Sequence, residues 1–279
     1  MGWLCDAGHV ASAADFARRG VSRRMLSRAV SDGLLDRLRA GTYACAHLTG
    51  VARTAAVAGM ELDCLSFLEK TPNQWVGRGT VGLHLLARGG RHHGTAPDGT
   101  TVHWSRYPQG GTIGALRRSA RCLGPYDWLA AVESAVHLGS ISPSDVERLR
   151  DGLPPAHAAT LERIVFATHS GFETTTRCQL VDAGHQVETQ VSIPGTSDLD
   201  LLVDGLVGVE TDGRRWHESR FTADRTKDLH LEAWGIRTIR IGEVHIFEEW
   251  PRTLATIERM IEESRRARLH TRYPTGPWG

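Results

Sequence analysis

Lysine is almost missing from this 279-residue chain: of thirty-three basic residues, only Lys70 and Lys227 are lysines. Arginine therefore carries nearly all the positive charge, and its planar fork suits bidentate contact with phosphate. An excess of either charge is missing too. Thirty-three basic against thirty-two acidic residues leave a net charge of +1, so any nucleic-acid binding must come from local basic faces rather than from global attraction. The five cysteines, Cys5, Cys45, Cys64, Cys122 and Cys178, include no CxxC pair. That spacing supports neither a disulfide framework nor a zinc knuckle and leaves reduced structural thiols as the expectation. No long uncharged apolar run is present that would span a membrane. The first residues, with Cys5, Asp6 and His9, lack the basic-then-apolar order of a secretory signal. The expected protein is soluble and cytoplasmic, with no membrane partner.

What is present is a globular composition, 41% apolar and 23% charged, at a length that suggests two or three compact units of roughly 100–200 residues each. A boundary is expected at Gly152 and Pro154-Pro155, which break the preceding helix. The predicted segments are 1–50, 51–155 and 156–279. The predicted fold class is mixed α/β (α+β overall).

In residues 9–46 a small-residue helix turns at Gly20 and restarts at Ser22, with apolar spacing through Leu26, Ala29 and Val30 and a stop at Gly33. Arg23, Arg24, Ser27, Arg28 and Ser31 fall on the face opposite that stripe, as they would on a recognition helix. The following LLDRLRAGTYA alternates around Gly41, the pattern of a wing hairpin. An ordinary helical hairpin with a solvated arginine face fits the spacing equally well. The run Gly33-Leu34-Leu35-Asp36-Arg37-Leu38-Arg39-Ala40-Gly41-Thr42-Tyr43 resembles the wing of the N-terminal winged-helix domain of AbiEi-type antitoxins. That resemblance implies DNA binding, with Arg37 and Arg39 on the wing joining the helix arginines.

Residues 51–150 suggest a linking α+β domain: a helix at 51–69, strands in VGLHLLAR and TVHWSR, and helices near 126–138 and 143–150. His92-His93 lies in a Gly-rich loop, with His84 and His103 on the flanking strands. In a chain of fourteen histidines such a grouping arises readily by chance, and it is read as incidental.

From residue 160 the signals run helix (161–183, broken at Ser170-Gly171), strands at 186–193, 198–204 and 206–211, helix (222–234), the strand IRTIRI, and a last helix at 252–268. A tight turn at Asp204-Gly205 brings Asp200 and Glu210 near each other, with Asp212 on the same sheet face two residues on. Carboxylates in apolar strands are costly unless a cation or strong donors compensate them, and Mg²⁺ or Mn²⁺ favours such oxygens. Surface acids partnered by Arg214 and Arg215 are the plainer alternative.

Residues 170–266 resemble the Vsr-like endonuclease domain of the PD-(D/E)XK class. The likeness is carried by Ser170-Gly171-Phe172-Glu173, Arg177, Leu180 and Ala183-Gly184, then Leu199-Asp200-Leu201, Val209-Glu210-Thr211-Asp212-Gly213 with Trp216-His217, and Phe221, Asp224-Arg225, Lys227-Asp228 and Arg240. It implies a restriction-endonuclease-like αβββαβ core with Glu173, Asp200, Glu210 and Asp212 as Mg²⁺ (or Mn²⁺) ligands. One departure matters: the class places a Lys two residues after the Glu, where this chain has Asp212. His217 is the expected general acid or base in its place. Lys227 or Arg225 is expected to contact the scissile phosphate, with Arg214 and Arg215 as further DNA contacts. Two functions follow. The first is a metal-dependent DNA endonuclease. The second is an antitoxin-like DNA-binding regulator whose nuclease fold does not cleave. A homodimer is compatible with both.

Overall fold

Two compact units divide the chain: Met1–Pro72 with Arg78–Arg118, and Asn73–Gly77 with Ser119–Gly279. The computed structural model describes residues 2–6, 9–78, 82–89, 94–105, 110–195, 197–212, 227 and 230–270. This division differs from the three segments expected from the sequence. Most of residues 51–118 share a unit with the N-terminal elements, and the chain from Ser119 joins the C-terminal sheet.

The first unit begins with α1 (Gly2–Asp6), β1 (Val10–Ser12), α2 (Ala13–Arg18), α3 (Arg23–Ser31), β2 (Leu35–Arg39) and β3 (Thr42–Cys45). Local chemistry sets these boundaries. Ser12 caps α2 in a reciprocal box, its hydroxyl accepting from Asp15 N at 3.2 Å while the Asp15 carboxylate accepts from Ser12 N at 2.8 Å, which satisfies two amides left free at a helix start. Ser22 caps α3 in the same sense, accepting from Met25 N at 3.3 Å. Gly33 takes φ +70 just past α3, a left-handed value that favours glycine. The strands pair in the order β1-β3-β2, all antiparallel. Leu4, Ala11, Phe16, Leu26, Leu35 and Cys45 form the core beneath them. Phe16 packs edge-on against Trp3 and Tyr43 at 5.2 and 5.9 Å. The expected helix, turn, helix and wing are all present.

The same unit continues through α4 (Gly50–Ala58), β4 (Glu61–Leu62), α5 (Cys64–Leu68), β5 (His84–Arg88), β6 (Thr101–Ser105) and α6 (Gly111–Ser119). The helix expected over 51–69 is two helices, because Gly59 ends α4 at φ +71 and β4 intervenes. β4 runs antiparallel to β5, and β5 parallel to β6.

The second unit holds α7 (Pro125–His137), a 3-10 turn at Pro143–Leu149, α8 (Pro155–Leu161), α9 (Gly171–Asp182), β7 (Val187–Val191), β8 (Leu199–Val203), β9 (Val207–Asp212), β10 (Arg237–Gly242), α10 (Glu243–Phe247) and α11 (Trp250–His270). The break expected at Ser170-Gly171 is complete: α8 stops at Leu161 and α9 starts afresh, with Ser170 accepting from Glu173 N at 3.2 Å. The sheet order is β10-β9-β8-β7. β7, β8 and β9 form an antiparallel meander, whereas β10 lies parallel to β9. A parallel neighbour requires a crossover, and Lys227 and residues 230–233 on that connection are helical. Asp204 and Gly205 both take positive φ, 51° and 65°, and with Leu206 they make the three-residue connection between the paired Val203 and Val207. Leu180, Leu201, Val203, Val207, Val209, Ile241 and Ile257 bury one sheet face against α9 and α11.

A buried ion pair ties α7 to α9. The Glu133 carboxylate accepts from Arg177 Nη2 at 2.6 Å, from Thr174 Oγ1 at 2.6 Å and from Val165 N at 2.8 Å, and both charged side chains are at most 5% exposed. Removing one member leaves the other charged and buried, which typically costs about 3–5 kcal/mol. Arg177→Ala is therefore expected to lower the urea midpoint by that equivalent. An Arg177→Ala, Glu133→Leu double variant should recover part of the deficit. Equal midpoints for wild type and Arg177→Ala would show that the pair contributes nothing.

Candidate functional site

The N-terminal candidate is a basic face. Leu26 anchors α3 in the core at 2% exposure, while Arg23, Arg24, Ser27, Arg28 and Ser31 are exposed. Arg28 has an exposed partner in Asp32 at 3.6 Å, a weak tie that phosphate can replace. Arg37 is exposed on β2. Arg39 is exposed on β2 as well, and its guanidinium also donates to Ala56 O at 2.7 Å and packs against Gly59. It holds the wing to α4.

The C-terminal candidate is a row of polar side chains across the sheet. In β8 and β9, Leu201 pairs with Val209 and Leu202 with Gly208; one further step sets Asp200 opposite Glu210. On the outer sides, Thr189 and Val191 of β7 flank the position opposite Asp200, which is Gln190, and Arg240 of β10 pairs with Glu210. Leu201 and Val209 point into the core, so the alternation of strands turns Asp200 and Glu210 to the other face. Asp200 is held there by Thr211, whose N and Oγ1 donate to Oδ2 at 2.9 and 3.2 Å. Glu173 reaches the cluster from the first turn of α9 and is 4% exposed. Its Oε2 accepts from His169 N at 3.0 Å and from Gln190 Nε2 at 2.9 Å.

The charges of this cluster are mutually adverse. Burial, and then the charge of Asp200, push the Glu173 carboxyl above the usual glutamate range. Burial likewise raises Glu210 and Asp200 adds to it, while Lys227 and Arg240 pull the other way. Lys227 is buried, with Nζ 2.7 Å from Glu210 Oε1 and donating to Asp198 O at 2.6 Å. Its amine thus reaches the Glu of the strand from the crossover connection, although the position two residues after that Glu holds no lysine.

A group whose folded pKa is raised lends stability at low pH that disappears as the pH climbs through that pKa. Glu173 thus costs stability in mild alkali and not in acid. Glu173→Gln is expected to raise the melting temperature at about pH 8 by a few degrees, and the gain should shrink towards zero by about pH 4.5. A gain that does not vary with pH would remove the electrostatic explanation.

Of the residues singled out in the sequence, Asp200 acts electrostatically on both Glu173 and Glu210, and Lys227 pairs with Glu210. Asp212 is exposed at the end of β9, two residues beyond Glu210. β8 begins only at Leu199, so the position across from Asp212 lies before that strand and leaves β10 alone beside it. His217, Arg214, Arg215 and Arg225 lie outside the described residues, as does His92-His93. Gln190 joins the row although nothing in the local sequence marks it, and so does Arg240, which carries part of the resemblance but takes no site role from it. A polar residue in each of four paired strands is the signal, but it shows only once the register is known.

Cysteine and histidine also group, contrary to the expectation of scattered thiols and incidental histidines. Donor atoms of Cys5, Cys45 and His47 lie within 4.8 Å of one another, as do those of Cys64, His84 and His103. None of the five cysteines is in a disulfide. Among the described residues, no helix is long and apolar enough to cross a membrane.

No curated protein matches the chain. Nothing in the comparisons identifies a Vsr-like or PD-(D/E)XK domain in the second unit, so that resemblance rests on its residues alone. Residues 6–46 match the family described as transcriptional regulator, AbiEi antitoxin, and the helix-turn-helix and wing of the first unit are a domain of that type.

Proposed function

We propose that the chain is a DNA-binding regulator of the antitoxin type, which docks α3 in the major groove and lays its wing on the backbone. The observation that carries this reading is the division of α3 into a core-anchored stripe and an exposed face bearing three arginines, the layout in which a recognition helix meets DNA. The test is fluorescence anisotropy with labelled duplex DNA across a salt series. Binding that persists in EDTA and weakens steeply with salt supports it. No binding to duplexes drawn from the gene's own upstream region, even at low salt, counts against it.

A second reading, a metal-dependent DNA endonuclease, is supported by the electrostatic coupling of Asp200 to both Glu173 and Glu210 and by the Lys227–Glu210 pair. Buried carboxylates whose charged forms are disfavoured suit a hard divalent cation, and their oxygens match Mg²⁺ or Mn²⁺. Asp200, Glu210 and Glu173 are the residues that would hold it. Such an ion, when bound, polarises a phosphoryl oxygen and acidifies water. Lys227 offsets the charge of Glu210 and stands ready to meet phosphate. Nicking of supercoiled plasmid with Mg²⁺ or Mn²⁺ supports this reading, and intact plasmid with both metals across duplex, nicked and mismatched DNA leaves the regulator alone.

A further inference from the structure

We propose that Cys5, Cys45 and His47 form a zinc site that staples the N-terminal helix of the winged-helix domain to its wing. The donors come from three places. Cys5 lies on α1, Cys45 ends β3, and His47 follows two residues later. Cys5 Sγ is 3.7 Å from Cys45 Sγ and 3.7 Å from His47 Nδ1. A tetrahedral ion with Zn–S of about 2.3 Å and Zn–N of about 2.0–2.1 Å sets sulfur-to-sulfur and sulfur-to-nitrogen edges of roughly 3.5–3.8 Å. The observed separations are those edges. A disulfide would need about 2.05 Å.

His9 reaches the same sulfur from the connection between α1 and β1, with Nδ1 2.9 Å from Cys45 Sγ. Its backbone is held at φ +68, a left-handed conformation that a residue with a side chain seldom takes unless its surroundings impose it. Two hydrogen bonds impose it: His9 N donates to Leu4 O at 2.7 Å, and Cys45 N donates to His9 O at 3.0 Å. The ring thus stands beside Cys45 as a hydrogen-bond partner of its sulfur, outside the group of mutually close donors. Thiolate and imidazole donors select zinc over magnesium. Cys45 is buried and His47 exposed, which leaves the ion a path of entry. The five-residue α1 has little of its own to hold it, and small folds commonly add a metal where their core is thin.

A different observation carries a second site in the same unit. His84 and His103 stack on the parallel strands β5 and β6, with Nδ1 of one 3.4 Å from Nε2 of the other, and the fully buried Cys64 thiol brings its donor within 4.8 Å of both. We infer that these three also ligate zinc. Cys64, like His9, is held at positive φ, 51°.

Metal content of the purified full-length chain, measured by plasma mass spectrometry after dialysis, tests both. About two zinc ions per chain are expected. Cys45→Ser and His47→Ala should each remove one, and His84→Ala the other. His47 is exposed, so His47→Ala keeps the core intact even if Cys45→Ser fails to fold. For His47→Ala, competition with a chelator should show zinc affinity at the first site reduced at least about tenfold. Cobalt substitution adds an independent readout, a thiolate-to-cobalt charge-transfer band that Cys5→Ser weakens. Protein that holds less than about a tenth of an equivalent of zinc and gives no cobalt band, or a Cys5–Cys45 disulfide in the mass spectrum of freshly purified protein, overturns the first site. A single zinc unaffected by His84→Ala overturns the second.

Discussion

Replacing Arg23, Arg24 and Arg28 together with alanine is expected to weaken duplex DNA binding by the full chain about 10²–10³-fold at low salt. Three exposed guanidiniums leave one face of α3, and each guanidinium withdrawn from a phosphate should flatten the dependence of log K on log salt by about 0.9. The fold should be unaffected, because Leu26 and the Ser22 cap hold α3 from the other side. Unchanged far-ultraviolet circular dichroism would confirm that. Arg39→Ala makes the matched control. It removes a charge of the same sign from the wing but breaks the bond to Ala56 O, so its main effect should be on stability rather than on the salt slope. If Arg39→Ala flattens the slope as much as the α3 substitutions do, α3 is not the principal DNA-binding element.

The second large effect is expected at the carboxylate row, and it separates the two functional readings. Mg²⁺ at 100 times its dissociation constant should stabilise the wild-type chain by about 2.7 kcal/mol. Asp200→Ala should abolish that gain, since Asp200 is the charge common to Glu173 and Glu210. If the chain cleaves DNA, the same substitution should lower metal-dependent nicking by about 10³-fold or more, equivalent to several kcal/mol of charge stabilisation. Lys227→Met should reduce nicking as well and yet tighten metal binding, because it leaves Glu210 without its ion-pair partner. Duplex binding in EDTA should survive both changes. A chain that gains stability from Mg²⁺ but nicks nothing would be a regulator whose second unit uses the ion for structure.

The elements of both units are legible wherever local signals fix them. Ser12, Ser22 and Ser170 cap helices by accepting from an amide three residues on, and such chemistry is visible in a string of letters. The Asp204-Gly205 turn marks the β8–β9 hairpin in the same way, but it is the register, with Leu206 as a third loop residue, that sets Asp200 opposite Glu210. What is not legible depends on partners remote in the chain. Arg39 reads as a wing arginine until α4 is placed beside it. Asp212 shares the alternation of Glu210, but alternation does not say where the neighbouring strand begins. Lys227 reaches Glu210 from a crossover connection, and no period marks that. The cysteines show the limit most clearly. Cys5 and Cys45 are forty residues apart, so a search for close Cys pairs passes over an approach made only when α1 folds back on β3.

Helix packing in the second unit follows the same logic. The Glu133–Arg177 pair is placed by the packing of α7 on α9, and Glu133 reads in the sequence as an ordinary helix position. Burial raises the Glu133 carboxyl even with Arg177 beside it, so replacing both members with apolar residues should cost less than removing one.

Photo-crosslinking probes the docking of α3 at the DNA surface itself. The full chain, carrying a benzophenone side chain at Ser27 on the exposed face of α3, is irradiated with a bound duplex in EDTA, and the crosslinked nucleotide and peptide are identified by mass spectrometry. A crosslink from the α3 peptide to a base edge in the major groove is expected, and high salt should abolish it. Efficient binding with no crosslink from Ser27, and crosslinks instead from a probe at Asp212 in the second unit, would refute docking through α3.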